Sequence, residues 1–278
     1  MAYPNVSAPY GLKPINLIGG QVFAGSTRNL PIQYGYASNI FYGDIVKLAR
    51  GFVNRMAVTS AGGTGLVGIF LGCSFTDPVT KQKRFTQYWP SGTLAGDAVA
   101  IVADDPDLVL QGVVCSGTTV VGSGSTALIG QNLQMIDTLG SVNNGNSLNA
   151  IQGLSGSGAP VTTAAFPLRV VGVVPESAVS VVGTGASSTT TITLTSGLTT
   201  AIPAGADVSY VAANGQLIET GSYTQAAYAV GTTSVLINLA ALGGDIPASS
   251  TIVFTSYPEL KVKLNFGAHE YYVATASA

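Results

Sequence analysis

The sequence predicts an all-β protein: a β-sandwich or barrel-like core formed by residues about 8–176 plus 257–278, carrying an inserted small β module. Three observations support that expectation. Short β-branched and aromatic runs bounded by Gly, Pro, Asn or Asp recur along the 278 residues, at 44–48, 67–75, 84–89, 98–103, 107–114, 168–174 and 260–266. That is the pattern of strands separated by turns. Helical periodicity is nearly absent, and the one candidate for a short helix, within 131–154, is interrupted by Gly140 and by Asn143-Asn144-Gly145. Charged residues make up 9% of the chain, against about 25% in an ordinary soluble domain. The 53 Ser and Thr and 35 Gly leave a surface of hydroxyls, amides and backbone, which suits a β-rich structural protein.

Residues 1–10 read as an N-terminal arm with Tyr3, Pro4, Pro9 and Tyr10 and no charge. Proline lacks the N–H that a ladder needs, so the arm is expected to be an extended strap that orders only on a partner. Residues 11–176 plus 257–278 are assigned to the β core. Its longest apolar run, 65–73, stops after nine residues, well short of the roughly 18–20 that span a bilayer. Within 260–264 the order Leu-Lys-Val-Lys-Leu alternates, which turns Lys261 and Lys263 to solvent and three aliphatics inward. This closing strand is expected to return and pair near 168–174.

Residues 177–256 read as a separate module built from a repeat with an offset of 44 to 45 residues. Thr191-Ile-Thr-Leu194, Ile202-Pro-Ala204 and Val208-Ser-Tyr210 recur as Leu236-Ile-Asn-Leu239, Ile246-Pro-Ala248 and Ile252-Val-Phe254. Neither unit buries its apolar face alone, so the two are expected to pack into a small sandwich.

The chain carries 11 Lys+Arg against 13 Asp+Glu, a formal net charge of −2. That balance argues against a nucleic-acid binder, which needs a basic field. Hydrophobic residues at 46% and a mean hydropathy of +0.41 argue against disorder. Residues 1–106 hold eight bases and five acids, and 107–278 hold three bases and eight acids. A basic end docking on an acidic surface, or chance on a weakly charged surface, accounts for that skew. No secretory leader is visible at the N-terminus. Cys73 and Cys115 are therefore expected to be buried thiols in a protein made in a reducing cytoplasm.

Few residue patterns suit catalysis. His269 is the only histidine, so any Ser/His or Cys/His pair must use it; a terminal strand or interface role is the simpler reading. No nucleophile-elbow, zincin or P-loop motif is present. Gly122-Ser-Gly124-Ser-Thr-Ala127 lacks the helix and acidic partner of a dinucleotide loop and reads as a Gly-rich turn. Asp104, Asp105 and Asp107 could supply oxygen ligands to a hard cation, although Asp-Pro more simply starts a solvated turn. The aromatic groups around Tyr34, Tyr36, Phe41 and Tyr42, and around Phe85, Tyr88 and Trp89, suit a β core, a protein interface or a glycan site.

Several segments taken in order resemble a group of tailed-bacteriophage virion proteins. They are Tyr10-Gly-Leu-Lys-Pro14, Tyr42-Gly-Asp-Ile-Val-Lys-Leu48, the stretch 67–78, Gln87-Tyr-Trp-Pro-Ser-Gly92, Ala100-Ile-Val-Ala-Asp-Asp-Pro106, the stretch 167–175 and Leu260-Lys-Val-Lys-Leu-Asn-Phe266. The chain looks like a capsid decoration, or cement, protein over about 8–176 and 257–278, and 177–255 departs from that pattern as an insertion. The resemblance implies a non-enzymatic virion component on the outer surface of a capsid, made in the host cytoplasm. Its expected partners are the major capsid protein and other copies of itself, a homotrimer ahead of a dimer. No nucleic acid, membrane, small-molecule substrate or cofactor is implied. Tyr3, Pro4, Tyr10, Lys13, Tyr34, Tyr36, Tyr88 and Trp89 are the candidate contacts with the capsid or a neighbouring copy. The alternatives are a head-fibre or tail-associated adhesive module binding host glycans, and a cell-surface structural protein.

Overall fold

The run 65–73 faces two cores, its alternation shifted by a bulge where Leu66 and Gly68 pair with the successive residues Lys47 and Val46. Leu66 and Ile69 point into one buried cluster while Val67 and Phe70 point into another. This strand is therefore covered on both faces and must be apolar throughout. Gly68 within it has no side chain because a Cβ there would lie 2.1 Å from the Ala103 carbonyl oxygen of the neighbouring strand. The structure, a computed structural model of the single chain, describes residues 6–56, 65–116, 120–153, 166–188, 190–238 and 246–272. Among these it is all-β, with two short 3-10 turns at Thr126–Leu128 and Pro175–Ser177 and no α-helix.

The chain lays down β1 (Lys13–Leu17) and then the six strands of a first sheet. These are β2 (Arg28–Pro31), β3 (Ile45–Ala49), β4 (Phe52–Arg55), β5 (Leu66–Thr76), β6 (Lys83–Thr86) and β7 (Val99–Ala103), ordered β2-β7-β5-β3-β4 with β6 also on β5. Next come β8 (Leu108–Ser116), β9 (Val120–Val121), β10 (Asn132–Leu133), β11 (Met135–Ile136), β12 (Ala150–Gln152) and β13 (Leu168–Val173). With β1 and the closing strand β20 (Glu259–Leu264) they form an eight-stranded sheet. Its path runs β10-β13-β20-β8-β12-β11. The two sheets share one core, in which Ile45, Leu66 and Ile69 meet Leu110, Val114, Val262 and Leu264. Burying each such side chain contributes about 1.5–3 kcal/mol.

The expected pairing of the closing strand is present: β20 runs antiparallel to β13, with Val262 opposite Val170. The short-helix candidate at 131–154 is instead three small strands and a turn. Gly145 adopts φ 71 and its N–H donates to Ser141 O at 2.8 Å, closing a turn where a helix would have continued.

Between β13 and β20 lies the module, with β14 (Val179–Ser188), β15 (Thr191–Leu194), β16 (Asp207–Val211), β17 (Leu217–Tyr223), β18 (Ser234–Leu236) and β19 (Ser250–Ser256). It has a core of its own around Ile192, Val208, Val235, Ile252 and Phe254. Its strand order is β17-β16-β19-β14-β15-β18. The end strands meet through a bridge between Thr224 and Ile237 and through Gln225 N donating to Leu236 O at 3.0 Å. The sheet is thus a nearly closed barrel and not the expected two-layer sandwich, because closure satisfies edges that a sandwich leaves open.

The repeat is legible in the ladders. Thr191 pairs with Leu236 and Ser209 with Val253, and in each case the partners are counterparts at the repeat offset. The two units therefore pair strand against equivalent strand about a local pseudo-twofold axis.

Candidate functional site

The N-terminal arm does not stand free. Pro9 is buried, and Val6 and Tyr10 pack on Val113, Cys115 and Ala150. Tyr10 Oη donates to Glu259 Oε1, and Gln111 Nε2 donates to Glu259 Oε2 at 3.0 Å. Burial, with the Glu259 carboxylate beside it, raises the Tyr10 phenol well above its ordinary pKa. Lys13 lies over the Tyr10 ring at 3.9 Å. The expectation of a strap that orders only on a partner is corrected for residues 6–10, since apolar contacts and a carboxylate hold them to their own chain. Tyr3 and Pro4 lie outside the described residues.

The aromatic candidates separate into different environments. Trp89 is fully buried, edge-on to Phe75 at 5.3 Å, and its Nε1–H donates to Tyr36 O at 3.3 Å. As a core residue it is withdrawn from the interface set. Tyr36 is half-buried and its hydroxyl accepts from Arg55 N at 3.0 Å. Tyr88 stacks on Phe41 at 5.6 Å. Tyr34 alone of the four is widely exposed, at 61%.

Asp104, Asp105 and Asp107 do not converge. Asp104 pairs with Arg28 at 2.7 Å and accepts from the Tyr271 hydroxyl. Asp105 Oδ1 accepts from Asp107 N at 2.8 Å, the local turn that Asp-Pro sequences favour. Asp107 pairs with Lys263 at 3.3 Å. Among the described residues no group of three His, Cys, Asp or Glu could hold a metal ion. The metal reading is therefore corrected: each carboxylate is turned to a different partner.

His269 is 1% exposed in the C-terminal turn, where Leu66 N donates to Ala268 O at 2.9 Å and Glu270 N to Leu66 O at 2.7 Å. Its Nδ1 accepts from Tyr271 N at 3.3 Å, so the neutral ring carries its proton on Nε2, which has no hydrogen-bond partner among the described residues. No Ser, Thr or Cys bonds to it among the described residues. Cys73 and Cys115 are free, buried thiols in separate clusters, and burial pushes Cys73 up to about 11. A buried neutral imidazole and two protonated thiols, none within hydrogen-bonding reach of another, make no nucleophile–base pair.

Two polar constellations are structural, and sequence reading missed both. Asp44, fully buried, accepts from Phe41 N (2.9 Å), Arg55 Nε (3.1 Å), Ser147 Oγ (2.6 Å) and Asn149 Nδ2 (3.0 Å). Arg55 also pairs with Asp137, tying the first sheet to the 137–149 loop. Burial pushes the Asp44 carboxyl up, and Arg55 and Ser147 pull it back down.

The second constellation joins module to core. Asp207 Oδ2 accepts from Thr126 N at 3.0 Å and Thr126 Oγ1 at 2.7 Å, while Oδ1 accepts from Ser125 Oγ. The end of the Gly-rich turn thus holds the module's Asp207 carboxylate through one backbone amide and two hydroxyls. A cleft of about 600 Å³ opens along the same seam, lined by uncharged residues such as Val6, Val121, Ile202, Pro203 and Tyr228.

No family model matches the chain, and no curated protein or solved structure matches it either. No helix among the described residues is long and apolar enough to cross a membrane.

Proposed function

We propose that this chain is a structural virion protein that decorates a bacteriophage capsid shell and cements it by bridging major capsid protein subunits. The observation that carries the reading is the ordered series of segments from Tyr10-Gly-Leu-Lys-Pro14 to Leu260-Lys-Val-Lys-Leu-Asn-Phe266 that resembles such proteins. The physical character of the molecule supports it. Double-faced burial of β5, a carboxylate-pinned arm and a carboxylate-pinned module make a stiff body with few long side chains to order on docking. Little conformational entropy is then lost on binding, and many copies with modest interfaces hold a shell through multivalency. In this reading the protein is made in the host cytoplasm and sits on the outer capsid surface as a homotrimer, with a dimer as the nearest rival. It uses no cofactor, substrate, nucleic acid or membrane.

Adding the purified chain to capsid shells that lack it should give stoichiometric, symmetric binding by cryo-electron microscopy and raise the temperature at which the shells rupture. Shells that remain undecorated end the reading. A second reading, an adhesive module of a head fibre or tail, draws on one observation: the nearly closed barrel of residues 179–256 has its own core. Specific binding of the isolated protein on a glycan array would favour it.

A further inference from the structure

We infer that the part of the outer face of the eight-stranded sheet left uncovered by the arm is a docking surface for an acidic protein surface, with Lys13, Arg169 and Lys261 as its cationic contacts and Phe266 and Tyr272 as its aromatic margin. The inference rests on the function proposed above, in which that acidic partner is the capsid shell.

The three bases of residues 107–278 are Arg169, Lys261 and Lys263. Leu168, Val170, Leu260, Val262 and Leu264 all point into the shared core, so strand alternation sends all three bases to the opposite face. The ladder sets Arg169 opposite Lys263. It also sets Gln111 of β8 opposite both Lys261 of β20 and Lys13 of β1. Four of the 11 bases thus gather on one face, drawn from both ends of the chain.

Like charges opposed across a ladder are unfavourable, and the fold relieves only part of this. Lys263 is buried, paired with Asp107 at 3.3 Å and lying over the Phe266 ring at 4.5 Å. Glu259 shares the face, but it is 9% exposed and both its oxygens are occupied by Tyr10 and Gln111. Lys13, Arg169 and Lys261 enter no ion pair among the described residues, which is equally true of Lys47, Arg50 and Lys81, so it is their gathering on one face that sets them apart.

At the margin Phe266 and Tyr272 touch, with ring centroids 4.4 Å apart, yet are 48% and 49% exposed. Aromatic and Arg side chains carry most interface energy, and complementary charge steers the encounter. Anionic membranes are usually read by clusters of about 4–8 bases, and duplex DNA by a broader basic field than a chain of pI about 5.2 presents. Few cations on a sheet face with an aromatic edge fit a protein.

The test uses the full chain and shells lacking it, with binding measured by co-sedimentation from about 50 to about 500 mM salt. R169E/K261E should bind about 10-fold or more weakly at low salt and lose most of the salt dependence. R50E/K81E, which reverses two exposed charges elsewhere, should bind as wild type does. Far-UV circular dichroism checks that both variants fold. Equal binding by R169E/K261E overturns the inference and leaves the cement function standing. Failure of the wild type to bind shells overturns both. Wild-type binding to phosphatidylserine vesicles or duplex DNA as tight as to shells overturns the assignment to an acidic protein.

Discussion

Asp207 Oδ2 accepts a hydrogen bond from Thr126 Oγ1 at 2.7 Å, across the seam between the module and the core. Apart from the two chain crossings beside Val179 and Ser256, which pair with each other, this carboxylate is the main polar clasp between the two bodies. Its Oδ1 and Oδ2 together take the Ser125 and Thr126 hydroxyls and an amide at the start of a 3-10 turn.

Asp207→Ala should therefore leave a backbone amide and two hydroxyls without their acceptor, at about 1–3 kcal/mol. Calorimetry should show a lowered transition, or one split into two as module and core unfold separately. Wild-type stability in this variant would show that the clasp contributes nothing.

Deleting 178–255 with a short Gly-Ser link should leave a folded core. The ends of the excised segment already lie side by side, since Val179 pairs with Ser256, and of the module's buried apolar side chains only Tyr223 packs into the main core, the rest forming a cluster of their own. A molten or aggregated product, seen by loss of near-ultraviolet dichroism, would contradict the independence of the two cores.

Trp89 is the only tryptophan of the chain and is fully buried. Trp89→Ala should destabilise the first sheet by about 3–5 kcal/mol, and Trp89→Phe by much less. Intrinsic fluorescence of the wild type should be blue-shifted and poorly quenched by iodide, whereas an interface role would give an exposed, quenchable indole.

Acid should destabilise the protein through His269. Burial, the largest cause, lowers its pKa from 6.5, with Asp104 opposing and Lys263 adding to the shift. A folded-state pKa below the unfolded value means the unfolded chain binds the proton first. The contribution of His269 is therefore fully present above about pH 6.5 and lost as pH falls through the window below it. Protonation would also put a proton on the Nδ1 that now accepts from Tyr271 N. His269→Phe should flatten the slope of urea midpoint against pH between about 6.5 and 5. Asp77, partly buried, and Asp97, exposed, are held below the usual carboxylate range by their hydrogen bonds and act in a separate window at lower pH. An unchanged slope in His269→Phe would place the acid sensitivity elsewhere.

The local pattern of the chain already contained its class and most of its strands. Alternation at 260–264 and the Gly- and Pro-bounded β-branched runs dictate all-β structure, because side-chain period and turn chemistry are properties of neighbouring residues. The repeat in 177–256 was legible for the same reason, down to counterparts such as Ser209 and Val253. What each residue faces was not. Trp89, Tyr36 and Tyr10 look alike as exposed-aromatic candidates, yet one is core, one a hydrogen-bond acceptor within the first sheet and one a clamp on Glu259. Asp207 meets Thr126 from 81 residues away, and Lys13 meets the row of Gln111 and Lys261 from the other end of the chain. Composition and period set which face of a strand is apolar. Only the register of long-range ladders decides which charges end up side by side, and that register is fixed by packing of the whole core and not by any local stretch.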